Sequence, residues 1–178
     1  MRLFVSVAVP EISLEGAHLG GPQAPPHLTV LFLGEVAPVQ VDAIAGRFAQ
    51  AVRSQPRFPL ELVGVGAFPN VDHARVVWVG VRAGAAELGA LHDRLVAACR
   101  ELAVPVEDRP LVPHLTLRRI RGPRDAAFSR RWVDELGTKE FGRIVVTELE
   151  LKESLLGGGP AVHRTVARLP FEGNAGAA

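Results

Sequence analysis

The sequence predicts two similar lobes built of strands and helices that face each other across a cleft, and three observations carry that expectation. A four-residue phrase occurs twice, as His27-Leu28-Thr29-Val30 and His114-Leu115-Thr116-Leu117, 87 positions apart from 27 to 114. Each copy lies in an apolar run of strand type. Around each copy the order strand, His strand, helix, strand recurs, which an internal duplication with pseudo-twofold symmetry explains economically.

In chain order, Leu3 to Val9 reads as a buried strand, and the first His strand follows at His27. Residues Glu11 to Pro26 hold Gly20, Gly21, Pro22, Pro25 and Pro26, which oppose a helix, so a loop or mobile flap beside His27 is expected there. Val41 to Val52 predicts a helix through the spacing of Ile44, Phe48 and Val52, and Phe58 to Phe68 a strand. The second series runs through a strand at Arg75 to Val81, a helix at Glu87 to Leu102, the His strand at His114 to Arg119, a helix at Arg124 to Gly137 and a strand at Gly142 to Lys152. In the Glu87 helix, Leu88, Leu91, Leu95, Cys99 and Leu102 mark one buried face, leaving Asp93, Arg94 and Arg100 for water. A turn at Gly157 to Pro160 and a last strand at His163 to Leu169 complete a single domain over residues 1–172, with 173–178 expected as a disordered tail.

A length of 178 residues with 48% hydrophobic content suffices for one substantial core. The formal net charge of +1 excludes a bulk polyelectrolyte partner as the default, so local patches matter more than the total. Nearly all the positive charge is arginine, with lysine only at 139 and 152. Arginine donates two parallel hydrogen bonds to phosphate, although a coding bias produces the same composition. Cys99 is the single cysteine, which rules out an internal disulfide and a structural zinc cluster. The short apolar start meets Pro10 and Glu11 without a cleavage pattern, and no run has membrane-spanning length, so a cytoplasmic, non-membrane protein is expected.

The chemistry resides in the repeated phrase. A strand turns alternate side chains to opposite faces, so His27 and Thr29 point one way while Leu28 and Val30 enter the core, and the second copy does the same. Two histidines near neutral pH can supply both a general base for an attacking water and a general acid for the departing oxygen of a cyclic phosphodiester. Thr29 and Thr116 would donate hydrogen bonds to its non-bridging oxygens. One His-x-Thr alone is weak evidence, but two in matching places are not. No carboxylate, cysteine or further histidine stands at ligand spacing from either phrase, so no metal and no cofactor is expected.

The chain resembles the 2H phosphoesterase superfamily, and within it the RNA 2′,3′-cyclic phosphodiesterases also called 2′-5′ RNA ligases. The likeness rests on Arg2-Leu3-Phe4-Val5, the run from His27 through Gly34-Glu35, Gly66-Ala67-Phe68-Pro69, Trp78-Val79-Gly80 and Pro113-His114-Leu115-Thr116-Leu117. It implies an α+β fold of two pseudo-symmetric lobes, with antiparallel sheets lining a central cleft and helices outside. It also implies hydrolysis of RNA 2′,3′-cyclic phosphate ends to 2′-phosphates with His27 and His114 as the catalytic pair, His27 as acid and His114 as base. Reversible ligation of such an end to a 5′-hydroxyl is its second face, since microscopic reversibility permits both.

By position, the resemblance makes Arg119 a phosphate ligand. Counting by twos from His114 instead puts Thr116 and Arg118 on the site face, unless the strand bulges before Arg119. Both arginines therefore stay candidates. The stretch Arg118, Arg119, Arg121, Arg124, Arg130 and Arg131 could guide an RNA backbone or simply be a solvated face. Phe68 is a candidate base-stacking ring, with a core role as the plainer reading. Trp78 and Trp132 read as core, and His18, His73, His92 and His163 as surface or capping residues. Ser154 matches a family segment without an assigned role. The chain departs from relatives at 11–26, where they carry a helix. The competing classes are a non-catalytic RNA-end binding module and a phosphodiesterase for another cyclic or 2′-5′-linked nucleotide; no obligate protein partner is evident.

Overall fold

The structure is a computed structural model that describes residues 1–10, 25–107, 109–120, 122–155 and 162–173, without the side chains of 123–128. Its strands are β1 (Arg2–Ala8), β2 (His27–Glu35), β3 (Phe58–Phe68), β4 (Val76–Val81), β5 (His114–Arg119), β6 (Glu140–Val146), β7 (Glu148–Leu155) and β8 (Val162–Pro170). Among the described residues its helices are α1 (Val41–Val52), α2 (Ala85–Glu101) and α3 (Pro123–Leu136), with a 3-10 turn at Pro38–Gln40. The expected loop over 11–24, the turn at 157–160, Arg121, His18 and residues 174–178 lie outside the described residues. Gly173, where the tail was expected to start, bridges to Pro56.

The eight strands form one antiparallel sheet in the order β6-β3-β4-β5-β2-β1-β7-β8. The two lobes are its halves, and they meet where β2 pairs with β5 at Leu28 and Leu115. The halves of the chain exchange strands: β3 crosses to the second lobe, where it pairs with β4 and β6, while β7 and β8 cross to the first, where β7 pairs with β1. The run expected as one strand from Gly142 to Lys152 is therefore two: β6 ends at Val146 on the outer edge of one lobe, and β7 starts at Glu148 inside the other. The backbone carbonyl of Thr147, between them, accepts a hydrogen bond from Phe171 at 2.9 Å rather than joining either ladder.

Strand alternation builds the core. Leu3, Val5 and Val7 of β1, Leu28 and Val30 of β2, and Leu115 and Leu117 of β5 are all buried on the face opposite the histidines. Helix α1 seats Ile44, Phe48 and Val52 at zero exposure, and it packs on α2 and β8. Helix α2 contributes the predicted Leu88, Leu91, Leu95 and Cys99, and also packs on β2. That double contact widens its buried face to include His92, which is 6% exposed and not the surface residue expected; its Nδ1 lies 3.2 Å from Asp93. Fully burying each large apolar side chain contributes about 1.5–3 kcal/mol, so this layer fixes the position of the sheet above it.

Candidate functional site

The junction of β2 and β5 sets the site. Carrying the Leu28–Leu115 antiparallel register one residue either way sets His27 beside Thr116 and Thr29 beside His114, all half-buried on the face away from the core. The two imidazoles are then diagonal neighbours, which in antiparallel pairs lie about 7–8 Å apart. Both rings are tethered alike: His27 Nδ1 lies 3.0 Å from the Pro25 carbonyl oxygen, and His114 Nδ1 lies 2.7 Å from that of Val112. A carbonyl only accepts, so each Nδ1 carries the proton and donates, leaving each Nε2 as the working atom. Near-identical local sequence thus produces the same tautomer twice.

Rings wall both imidazoles. His27 stands 5.4 Å from the Phe4 centroid and 4.9 Å from that of His163, the latter edge-on at 82°. His114 stands 5.0 Å from Phe68, edge-on at 85°, and 6.4 Å from Trp78. Trp78 is therefore not the core residue its apolar strand suggested: it is half-buried on the cleft face and lies over Gly66, where an added Cβ would come within 2.4 Å of the indole. His163 likewise leaves the surface or capping class. His73 is the surface residue expected, exposed in a turn where Asn70 Oδ1 accepts from its backbone N–H at 2.9 Å. Trp132 packs against the core, as expected.

The two His strands share a further irregularity. On β5, Thr116 pairs with Trp78 and Arg118 with Val77, so Leu117 is an extra residue in the ladder. On β2, Thr29 pairs with Ser6 and Leu31 with Val5, so Val30 is the extra residue at the same place in the phrase. Such a bulge shifts the alternation by one. Arg119 pairs with Val76, two residues from Trp78 and opposite Phe68, and so shares their face, while Arg118 pairs with the fully buried Val77. Counting by twos had favoured Arg118. Arg119 is exposed and Arg118 half-buried. By the same register Phe32, which is 58% exposed, holds in the first lobe the place of Arg119 in the second.

Beneath His27 lies a buried polar group. Ser6 pairs with Thr29 on one side and Glu150 on the other, while Lys152 Nζ sits 2.8 Å from Glu150 Oε2 and Arg168 reaches Glu150 Oε1 at 3.4 Å. Burial holds the His27 imidazole below its ordinary value, and Lys152 pushes the same way, against the Pro25 hydrogen bond and Glu150. His163 is also held low, first by burial, then by His27 and Lys152. Nothing in the sequence assigns Phe4, Lys152 or His163 to the site, since none stands near a repeated phrase; only their cross-strand pairing reveals them.

The outer part of the basic stretch is neutralised. Arg130 pairs with Asp72, and Arg131 with Glu135 at 2.7 Å across one helical turn. Among the described residues no group of three or more His, Cys, Asp or Glu side chains is placed to hold a metal ion, and no helix is long and apolar enough to cross a membrane.

Comparison with known proteins places the chain in a family and a fold. The family model of the 2′-5′ RNA ligase superfamily matches residues 11–156. An RNA 2′,3′-cyclic phosphodiesterase of Aeropyrum pernix is 36% identical over 140 residues, covering 79% of this chain and 78% of that protein. One from Archaeoglobus fulgidus is 34% identical over 170 residues, covering 88% and 92%. Among solved structures, a Thermus thermophilus protein superposes with a TM-score of 0.75 at 27% identity, over 97% of this chain and 99% of that one. Escherichia coli LigT complexed with 3′-AMP superposes at 0.71 and 26% identity, over 96% and 97%.

Proposed function

The chain belongs to the 2′-5′ RNA ligase superfamily, and from that membership and its paired histidines we propose that it hydrolyses RNA 2′,3′-cyclic phosphate ends to 2′-phosphates. The observation that carries the reading is the His27–Thr29–His114–Thr116 quartet about the Leu28–Leu115 junction, with both Nδ1 atoms tethered to carbonyls and both Nε2 atoms left for chemistry.

In the proposed reaction, His114 Nε2 accepts a proton from water as its oxygen attacks phosphorus. The bond from phosphorus to O3′ breaks, and His27 protonates O3′, leaving the phosphate on O2′. Thr29, Thr116 and Arg119 donate to the non-bridging oxygens, where charge collects in the transition state. Burial keeps free His27 mostly unprotonated near neutral pH, so it takes up its proton from solvent as the bound phosphate anion favours the imidazolium. Phe68, edge-on to His114 and in the same cross-strand row as Arg119, offers a ring for the neighbouring base. With an RNA 5′-hydroxyl in place of water, the same steps form a 2′-5′ linkage, and their reversal breaks it.

The test is turnover by His27→Ala and His114→Ala. Each should lose about 10²–10⁴-fold in rate with affinity for the RNA end retained, since a general acid or base acts in the transition state. An unmutated protein that binds the end without turning it over would make the chain an RNA-end binding module instead.

A further inference from the structure

His163 belongs to neither repeated phrase and comes from β8, an edge strand of the first lobe. Its ring nevertheless lies 4.9 Å from His27 and 4.8 Å from Phe4, edge-on to both. The lobes differ here. His114 is walled by phenylalanine and indole, neither of which titrates, whereas one of the two rings against His27 is an imidazole. His163 Nδ1 is buried without a hydrogen-bond partner among the described residues, so none of them fixes the protonation state of that ring through this atom.

We propose that His163 is a positioning residue of the active site that limits the charge His27 can carry. The inference rests on His27 acting as the general acid. Two imidazolium rings at this separation repel through a poorly solvated gap, so protonation of one opposes protonation of the other and the pair titrates as a unit. The other charges facing the pair do not release that constraint. From β7 come Lys152 and Glu150, ion-paired at 2.8 Å, with Lys152 still pushing both rings toward neutrality and Glu150 opposing it at His27. On β8 itself, Arg164 is turned to Glu153 at 2.6 Å, and Arg168 to Glu148 and Glu150. β1 contributes the uncharged Phe4 and Ser6, and β5 sets His114 diagonally across the junction from His27, a group that adds positive charge when protonated and never negative charge. A proton that His27 holds weakly is more readily given to O3′, so His163 sharpens the acid while keeping it neutral until an anion arrives.

The experiment is a titration of the histidine ring resonances by NMR in the substrate-free protein, comparing the unmutated chain with His163→Phe and His163→Gln. Phenylalanine keeps the ring packing and glutamine keeps polarity, so either variant alone suffices if the other does not fold. The expected result is an upward move of the His27 midpoint in each folded variant, with its curve becoming a single step, and the acid limb of kcat/KM moving with it. An unchanged His27 titration in a folded variant would overturn the proposal and leave His163 as packing only. The titration needs no substrate: a moved His27 midpoint in a protein inactive on cyclic RNA upholds the coupling and overturns only the phosphodiesterase reading.

Discussion

Replacing Arg119 by alanine should cost far more turnover than replacing Arg118. The register decides this. With Leu117 as the extra residue of β5, Arg119 faces Val76 in the row that holds Phe68, one row beyond Thr116 and Trp78, while Arg118 pairs with Val77 at zero exposure. A donor aimed at transition-state charge in a closed site contributes about 10²–10³-fold. Arg119 is exposed, so water screens part of that, and a loss of about 10–100-fold in kcat/KM is expected, or about 1.4–2.7 kcal/mol. Arg118→Ala should stay within about threefold, as substitutions that break no named interaction with the reacting atoms usually do. Arg119→Lys keeps the charge but loses the two-pronged fork and should fall between. The assay is initial rate at low concentration of a short RNA ending in a 2′,3′-cyclic phosphate, with urea midpoints showing equal folding. A larger loss in Arg118→Ala than in Arg119→Ala would refute the reasoning and place the alternation, not the bulge, in control.

Gly66→Ala should drive the Trp78 indole from its seat, because the new Cβ would come within 2.4 Å of it; overpacking of this kind costs about 1–3 kcal/mol in urea unfolding, and kcat should fall as the wall of His114 moves. Phe48→Ala, at a fully buried position on α1, should destabilise by about 3–5 kcal/mol in the same assay with kcat per folded molecule unchanged. Stability should fall on acidification: burial holds folded His27 and His163 below the unfolded value, so the unfolded chain binds more protons, the full contribution stands above about pH 6.5, and it is lost as pH drops toward the folded values. A urea midpoint that rose between about pH 7 and pH 5 would contradict this sign for these two groups.

Much of the fold was legible because its signals are local. The spacing of Ile44, Phe48 and Val52 delimited α1, and the β5 strand appeared at His114–Arg119 as expected. The break at Thr147 was not legible, since Ile144 to Leu151 carries β-forming and apolar residues without Gly or Pro, and only the exchange of strands between lobes requires it. The repeated phrase revealed His27, Thr29, His114 and Thr116. The bulges at Val30 and Leu117 left no trace, because neither uses glycine, and with them the face taken by Arg119 stayed open. Trp78 misled because a strand between a core and a cleft is apolar toward both. His163 stayed hidden because its partner is 136 positions away, from 27 to 163, and lies three strands over in the sheet.

The central claim is that two imidazoles on opposite sides of one phosphate open a cyclic phosphodiester toward the 2′-phosphate. Its most direct test is turnover of a short RNA ending in a 2′,3′-cyclic phosphate, with EDTA present, by the unmutated, His27→Ala and His114→Ala proteins, with the 2′- and 3′-phosphate products resolved. The account predicts a 2′-phosphate that disappears with either histidine. A 3′-phosphate product, or a 2′-phosphate that persists at the full rate in either variant, would contradict it.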